Sequence, residues 1–442
     1  MKFFYIHIFL IFSLSISSET NSQSDWFIQN TGNNVDLSFV FFVDANTGWA
    51  LGWNPYQSFG IIYRTMNGGM NWDTLYFGQA VHINSLFFIN QNTGWISTLE
   101  TWVKEIRKTT DSGNTWSTQY SSPINRFYSM YFLDANTGWA VGEDNNYNGI
   151  VYKTTNGGIN WISSTILPIR NLGKVQFINQ NTGWTAGGYN SQSGRGLART
   201  TNGGGNWEML QSSNVFFNFY FVNVYTGWCL IDSVYGKYLI KKTTNGGVNW
   251  ITQYTTLQYE YFSSIQFVNP DTGWAVGGDM TQNLRRSRII ATRNGGQNWI
   301  HQWAPYNQFS GNLISVFFVN QNTGWSVGGN ITILKITNGG GEGGTAVERQ
   351  NSSVPEEYLL YQNYPNPFNP LTFIEFDVPK SSFVKLYVYD VLGREISVFV
   401  NKYLKEGSYK TEWNASAYPS GVYFYKLITD GFTETRKMVL IK

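Results

Sequence analysis

Phe127-Tyr-Ser-Met-Tyr-Phe-Leu-Asp-Ala-Asn-Thr-Gly-Trp-Ala-Val-Gly142, and then Ile150-Val-Tyr-Lys-Thr-Thr-Asn-Gly-Gly-Ile-Asn-Trp-Ile-Ser-Ser164, hold four short runs rich in aromatic and β-branched residues. Gly and Asn bound each run, which is the pattern of strands joined by tight turns. The phrase Asn-Thr-Gly-Trp, or a close variant, recurs along the chain at Trp49, Trp95, Trp139, Trp184, Trp228, Trp274 and Trp325. A second phrase of the type Thr-x-Asn-Gly-Gly-x-Asn-Trp ends at Trp72, Trp116, Trp161, Trp207, Trp250 and Trp299. A period of roughly 45 residues with two turn signals per unit predicts radial repetition of a four-stranded sheet.

The last unit breaks off, because Asn338-Gly-Gly runs into further glycines where a Trp would follow. The missing strand stands at the opposite end, as Asp25-Trp-Phe-Ile28. Lending it to the last unit closes a ring and removes two open sheet edges. The expected fold is therefore all-β: a seven-bladed β-propeller over residues 25–340, closed by an N-terminal strand.

The two ends read differently. Met1-Lys2, an apolar run from Phe3 to Ile16 and the small residues Ser17-Ser18 describe a signal peptide over residues 1–18. The run is shorter than the 20 or so residues a spanning helix needs, so no transmembrane span is expected in the mature form. Residues 341–355 read as a flexible Gly-rich linker. Over residues 356–442 the repeat vanishes and strand-like runs appear at Phe373–Val378, Val384–Val391, Tyr409–Trp413, Gly421–Thr429 and Lys437–Ile441. That pattern predicts a small immunoglobulin-like β-sandwich.

Composition narrows the function. Aromatics make up 17% of the 442 residues and charged groups 13%, with a net charge of +2. Residues 25–340 carry 18 Lys and Arg against 15 Asp and Glu, which argues against nucleic acid as a partner. Cys229 is the single cysteine and follows a Gly-Trp in a strand, the setting of a buried, inert thiol. Histidines occur at positions 7, 82 and 301 and offer no metal-ligand spacing, so no metal and no cofactor are expected. Acidic residues fall in repeat turns (Asp44, Asp134, Asp271) or singly, without the paired carboxylates of a glycosidase.

Both repeated turns lie on one face of such a fold, leaving the variable connections on the other. Loops on a rigid scaffold commonly carry function. Trp53, Trp102 and Trp303 are the ring-domain tryptophans outside the repeat, and all lie in or beside variable loops with Arg126, Arg170, Arg285, Arg286 and Arg288. Aromatics beside arginines are candidate contacts for a protein or glycan ligand.

Thr109-Thr-Asp-Ser-Gly-Asn-Thr-Trp116 matches the Asp-box of bacterial-neuraminidase-type repeats, with Asn67, Asn156, Asn202, Asn245 and Asn294 at the Asp position elsewhere. Together with Thr-Gly-Trp, these phrases resemble the photosystem II assembly-factor type of propeller, over roughly residues 25–340. The C-terminal residues Tyr364-Pro-Asn-Pro-Phe368, Val388-Tyr-Asp-Val-Leu-Gly-Arg-Glu395, Pro419-Ser-Gly-Val-Tyr-Phe-Tyr-Lys426 and Lys437-Met-Val-Leu-Ile-Lys442 resemble the type A sorting domain of the type IX secretion system. That likeness implies export through the periplasm by the type IX machinery of a Bacteroidota-like bacterium, to the surface or the medium, with the domain removed. It also singles out Tyr364, Pro365, Asn366, Pro367, Phe368, Gly393, Lys437 and Lys442 as the sorting motif, its prolines fixing an extended entry. The expectation is a non-enzymatic propeller that binds a protein or glycan outside the cell. The alternative is a sialidase-like or xyloglucanase-like glycoside hydrolase.

Overall fold

The computed structural model describes residues 26–29, 35–54, 59–79, 81–100, 102–188, 194–211, 215–232, 237–256, 259–279, 286–302, 311–329, 332–339, 348–351, 354–393, 395–415 and 418–441. The expected signal peptide lies outside them. Among the described residues every regular element is a strand, and up to Gly339 they form seven antiparallel four-stranded sheets within one compact unit.

The third sheet shows the plan, with strands Arg126–Phe132, Gly138–Glu143, Asn148–Thr154 and Ile162–Arg170 in chain order. First strands of successive sheets touch, and that of the first sheet, Asp36–Phe42, also touches Leu313–Phe318 of the last. Contacts that return to their start make a ring, with the first strands innermost. Six sheets use consecutive strands, whereas the last takes Phe27–Gln29 as its outer strand. There Phe27 pairs with Lys335, Ile28 with Leu334 and Gln29 with Ile333.

The Thr-Gly-Trp phrase explains each seam between sheets. Trp95 stacks on Phe132 of the next sheet at a centroid distance of 3.7 Å, and Trp274 on Phe318 at 3.4 Å. The ring is completed by Trp325 on Phe42 at 3.5 Å. Each Phe ring lies over the Gly of its own sheet, where a Cβ would fall inside the ring, as at Gly138 under Phe132. The Trp indole then donates across the seam to a carbonyl of the next sheet's second turn: Trp139 to Gly203 at 3.0 Å, Trp184 to Gly246 at 2.9 Å. A cation from the same sheet caps several of the rings, as Lys108 does over Trp95.

The second phrase builds that turn. Thr154 Oγ1 accepts the Gly158 N–H at 2.8 Å, and Asn156 Oδ1 accepts the Asn160 N–H at 2.9 Å. Gly157 and Gly158 take φ of 71° and 94°, left-handed values that suit glycine. Asp111 does the same work with a carboxylate, accepting the Thr115 N–H at 2.9 Å, so the one true Asp-box and its Asn versions are equivalent turns. The box Trp meets the seam Phe edge-on, as Trp161 meets Phe132 at 87°. Trp26 repeats this geometry in the last sheet, meeting Phe318 at 5.7 Å and 89°.

From Glu348 onward the chain forms two further four-stranded sheets. One joins Glu348–Asn351, Gly407–Asn414, Leu371–Val378 and Leu359–Leu360; the other joins Glu395–Leu404, Ser382–Tyr389, Gly421–Thr429 and Phe432–Leu440. Trp413 of the first meets Tyr423 of the second at 5.3 Å, with Phe368 packed beside it. Glu348–Asn351 lies in the stretch read as linker, yet pairs with the 407–414 strand at an edge (Arg349 opposite Tyr409). Its own residues, Glu-Arg-Gln-Asn, are all polar, so only the partner strand marks it as β.

Trp26→Ala removes the edge-on ring that the N-terminal strand places on Phe318 at the seam of the sixth and last sheets, and should cost about 3–5 kcal/mol, the range for large core aromatics. Denaturant unfolding measures it. A loss of about 0.5 kcal/mol, as for a surface site, would contradict closure by this strand.

Candidate functional site

The two repeated turns share one face and bind each other. Asp134 Oδ1 accepts the N–H groups of Asn136 and Thr137 at 2.7 Å, and the Gly157 N–H donates to Asn136 O at 2.8 Å. The equivalent bond from the second turn to the first recurs in every sheet, from Gly68 to Asn46 through to Gly339 to Asn322. The polar groups of these motifs are thus consumed by one another. The repeated turns also expose apolar side chains such as Met70, Ile159 and Tyr225, whereas the residues that break the repeat lie on the opposite face.

There Trp102 is 82% exposed, on a turn closed by the Glu100 N–H to Val103 O at 2.9 Å. Lys104 Nζ, at the exit of that turn, donates to Pro123 O at 2.9 Å and ties it to the connection that carries exposed Ile124. Next comes Arg126, whose Nη1 lies 3.4 Å from Glu143 Oε1, with Tyr128 OH donating to the same oxygen at 2.7 Å. Glu143 is buried, and its Oε2 has no hydrogen-bond partner among the described residues. Burial first, and then the Glu143 contact, push the Tyr128 phenol up to about 12. Tyr128 is the extra residue of a bulge between Phe127 and Ser129, which re-aims its side chain.

Two exposed tyrosines on this face have left-handed backbones, Tyr147 at φ 65° and Tyr259 at φ 71°. Bulky residues seldom adopt such angles, and those that do cluster at functional sites. Asp144 holds Tyr147 there by accepting the Asn146 and Asn148 N–H groups at 2.8 and 2.9 Å.

Other residues singled out from sequence stand apart. Trp53 lies in the strand Gly48–Asn54 and stacks on His82 at 3.3 Å. Arg288 forms ion pairs with two buried acids that face each other across paired strands, Glu260 at 3.5 Å and Asp279. Tyr254 OH lies 3.5 Å from Glu260 Oε2 and 3.2 Å from His301 Nε2. Arg170 is exposed and its backbone holds Gly188 and Gly194. Arg286 opens the strand Arg286–Thr292; Arg285 and Trp303 lie outside the described residues. Cys229 is buried, and burial raises its thiol pKa.

In the C-terminal unit the two segments expected to form the sorting motif are stitched together. Asn366 Oδ1 accepts the Val439 N–H at 2.9 Å, Phe368 N donates to Val439 O at 3.0 Å, and Ile441 N donates to Phe368 O at 2.9 Å. Phe368 is buried, whereas Tyr364 and Lys437 are exposed. Both X–Pro bonds, before Pro365 and Pro367, are cis, and residues 365–367 bend where an extended entry was expected. Gly393 turns at φ 75° between strands, its N–H bonded to Asp390 O at 3.0 Å; Lys442 is outside the described residues.

A family model described as photosynthesis system II assembly factor YCF48 matches residues 18–337. The chain belongs to that family. A second model, the secretion system C-terminal sorting domain, matches residues 362–442, so the chain carries a type IX sorting domain as well. No curated protein matches. Among solved structures, YCF48 bound to a D1 peptide is similar at TM-score 0.54 and 19% identity, covering 71% of this chain and 97% of that one. PorZ, a surface component of the type IX secretion system of Porphyromonas gingivalis, is similar at 0.51 and 12%, covering 93% of this chain and 60% of that one. At these identities the likeness shows a β-propeller fold. Among the described residues no helix is long and apolar enough to cross a membrane.

One residue with no sequence signal stands nearer the ring axis. Lys174 opens the inner strand of the fourth sheet, Lys174–Phe177, and its ammonium has no partner among the described residues. Desolvation alone lowers its pKa from 10.5 to about 8. Because the folded value lies below the unfolded one, the charged form opposes folding. That cost is fully present below pH 8 and disappears above the unfolded pKa. Stability should therefore rise between these limits. In Lys174→Met the extra rise should vanish, and the variant should be the more stable at neutral pH. Coincident pH–stability curves for the two proteins would contradict a desolvated ammonium.

Proposed function

We propose that this chain is a non-enzymatic, seven-bladed propeller that works outside the cell and binds a protein or glycan on the face opposite the repeated turns. The observation that carries this reading is Trp102, a large aromatic held 82% exposed on a hydrogen-bonded turn. An ordered, exposed indole loses little conformational entropy on binding and offers a broad apolar face. Ile124 and Tyr147 extend that surface across the second and third sheets, with Arg126 between them. The peptide held by the similar YCF48 structure supports a protein segment as one class of ligand.

The sorting domain supports export by the type IX machinery, through the periplasm to the surface or the medium, with the two C-terminal sheets read as an immunoglobulin-like unit that is then removed. A glycoside hydrolase would need two carboxylates free to act. Glu260 and Asp279, a closely placed acidic pair, are both held by Arg288, which favours a structural role for them.

The test begins with the protein recovered from a type IX-competent host bearing a tag at each end of the mature chain. It should appear outside the cells without its C-terminal tag. On glycan and peptide arrays it should bind a defined ligand set, which Trp102→Ala weakens at least tenfold, about 1.4 kcal/mol, with unchanged melting temperature. Retention of the chain inside the cell, or undiminished binding by the variant, would contradict the reading.

A further inference from the structure

The inner strands of the seven sheets are matched by the Phe that ends each at its seam. Two residues before that Phe's predecessor stands a position occupied by Phe39, Ser85, Ser129, Lys174, Asn218, Ser264 and Ser315. The four serines share one task. Ser85 Oγ accepts the Met130 N–H at 3.1 Å, Ser129 the Val175 N–H at 3.2 Å, Ser264 the Val316 N–H at 3.3 Å and Ser315 the Val40 N–H at 3.3 Å. Each side chain therefore crosses to the next inner strand around the ring. In the fourth sheet a lysine stands where those four supply an acceptor.

The side-chain alternation of a strand fixes which way Lys174 goes. Gln176, two residues on and with no bulge between, bonds both ways to Phe221 of the fifth sheet, at 2.9 and 2.8 Å. Lys174 shares that side. It thus lies against the fifth inner strand, about 6.5 Å nearer the variable face than Gln176. The tier below is an aromatic collar: Phe41 lies 4.9 Å from Phe317 and 5.2 Å from Phe87, which lies 5.2 Å from Tyr131. Tyr131 of the third sheet and Tyr220 of the fifth occupy the same tier, each directly before its seam Phe. The inner strands surround the ring axis, so this tier lines it, and Lys174 stands in the tier above.

In its tier Lys174 is the single charged residue, and no acid is placed to neutralise it among the described residues. A second loose end lies beside it in the same tier. Asn218 of the fifth sheet donates through Nδ2 to Ser263 O at 3.3 Å, while its buried Oδ1 has no partner. A partly buried cation without a counter-charge is costly to keep. We infer that the axial tier above the aromatic collar is a carboxylate-binding site, with Lys174 taking the anion and Asn218 Oδ1 accepting a donor next to it. One ammonium matches one negative charge; a phosphate dianion would bring a second charge into the same desolvated place with nothing to balance it. A carboxylate with an adjacent N–H or O–H ends a peptide chain and also defines a small hydroxy acid. This site is separate from the Trp102 surface, which the reading above uses.

Calorimetric titration of the full mature chain with lactate, with N-acetyl-dialanine and with its C-terminal amide tests this. At least one of the two acids should bind, while the amide should not. Lys174→Met should lose binding tenfold or more, and Lys174→Gln should lose it too, which guards against misfolding of either variant. Trp102→Ala should bind as the parent does, so this site and the outer surface can fail separately. Binding of the peptide acid alone assigns a chain end, and binding of lactate assigns a free acid. Either supports the site. No binding of either acid, equal binding of the amide or of inorganic phosphate, or undiminished binding by the Lys174 variants would overturn it.

Discussion

A glycine without a side chain is what lets this ring close. At each seam a Phe ring must lie flat on a Gly of its own sheet to present its other face to the Trp of the preceding sheet. Stacked rings at 3.4–3.7 Å then carry the contact between sheets all the way round. The indole N–H adds direction, because it donates to the next sheet's second turn and fixes how far that sheet rotates about the seam. Strand pairing holds each sheet together, and these seven joints, with side-chain bonds between inner strands, hold the sheets to one another. The N-terminal strand supports the joint between the sixth and last sheets by placing Trp26 against Phe318.

That constraint divides the molecule into a face of repeated turns and a face of variable connections. Thr-Gly-Trp and the Asp-box turns give their donors and acceptors to each other and to the seams, so their repetition reports architecture. The variable connections owe nothing to the seams, and there the chain places Trp102, Tyr147 and Tyr259 in the open. Several charged groups on that side are spoken for. Glu143 holds Arg126 and Tyr128, and Glu260 with Asp279 holds Arg288. Lys174 differs from all of these in lacking a counter-charge.

Much of the fold was legible in the sequence because each unit repeats its turn chemistry at fixed spacing. The strand at Phe27–Gln29 was readable from the Trp missing after Asn338. Two features were not readable. The strand Glu348–Asn351 is made of polar residues alone, so only its partner Gly407–Asn414 reveals it. The prolines in Tyr364-Pro-Asn-Pro-Phe368 bend toward the terminal strand, whose residues lie some seventy positions away. The candidate site was less legible. Trp102 stood out by breaking the repeat, but Arg126 and Arg288 proved to be tied by acids from paired strands. Lys174 carried no motif and became visible only when the inner strands were aligned by the seam Phe.

The seam is tested most directly by a double-mutant cycle of Gly138→Ala and Phe132→Ala. Gly138 has no left-handed backbone angle, so any cost of its alanine comes from contact rather than conformation. Gly138→Ala alone should destabilise by about 1–3 kcal/mol, as overpacking does, because its methyl displaces Phe132 from Trp95. With Phe132 already alanine, the added cost should fall to about 0.5 kcal/mol or less. Equal costs of Gly138→Ala in both backgrounds would contradict a ring held by Phe seated on Gly.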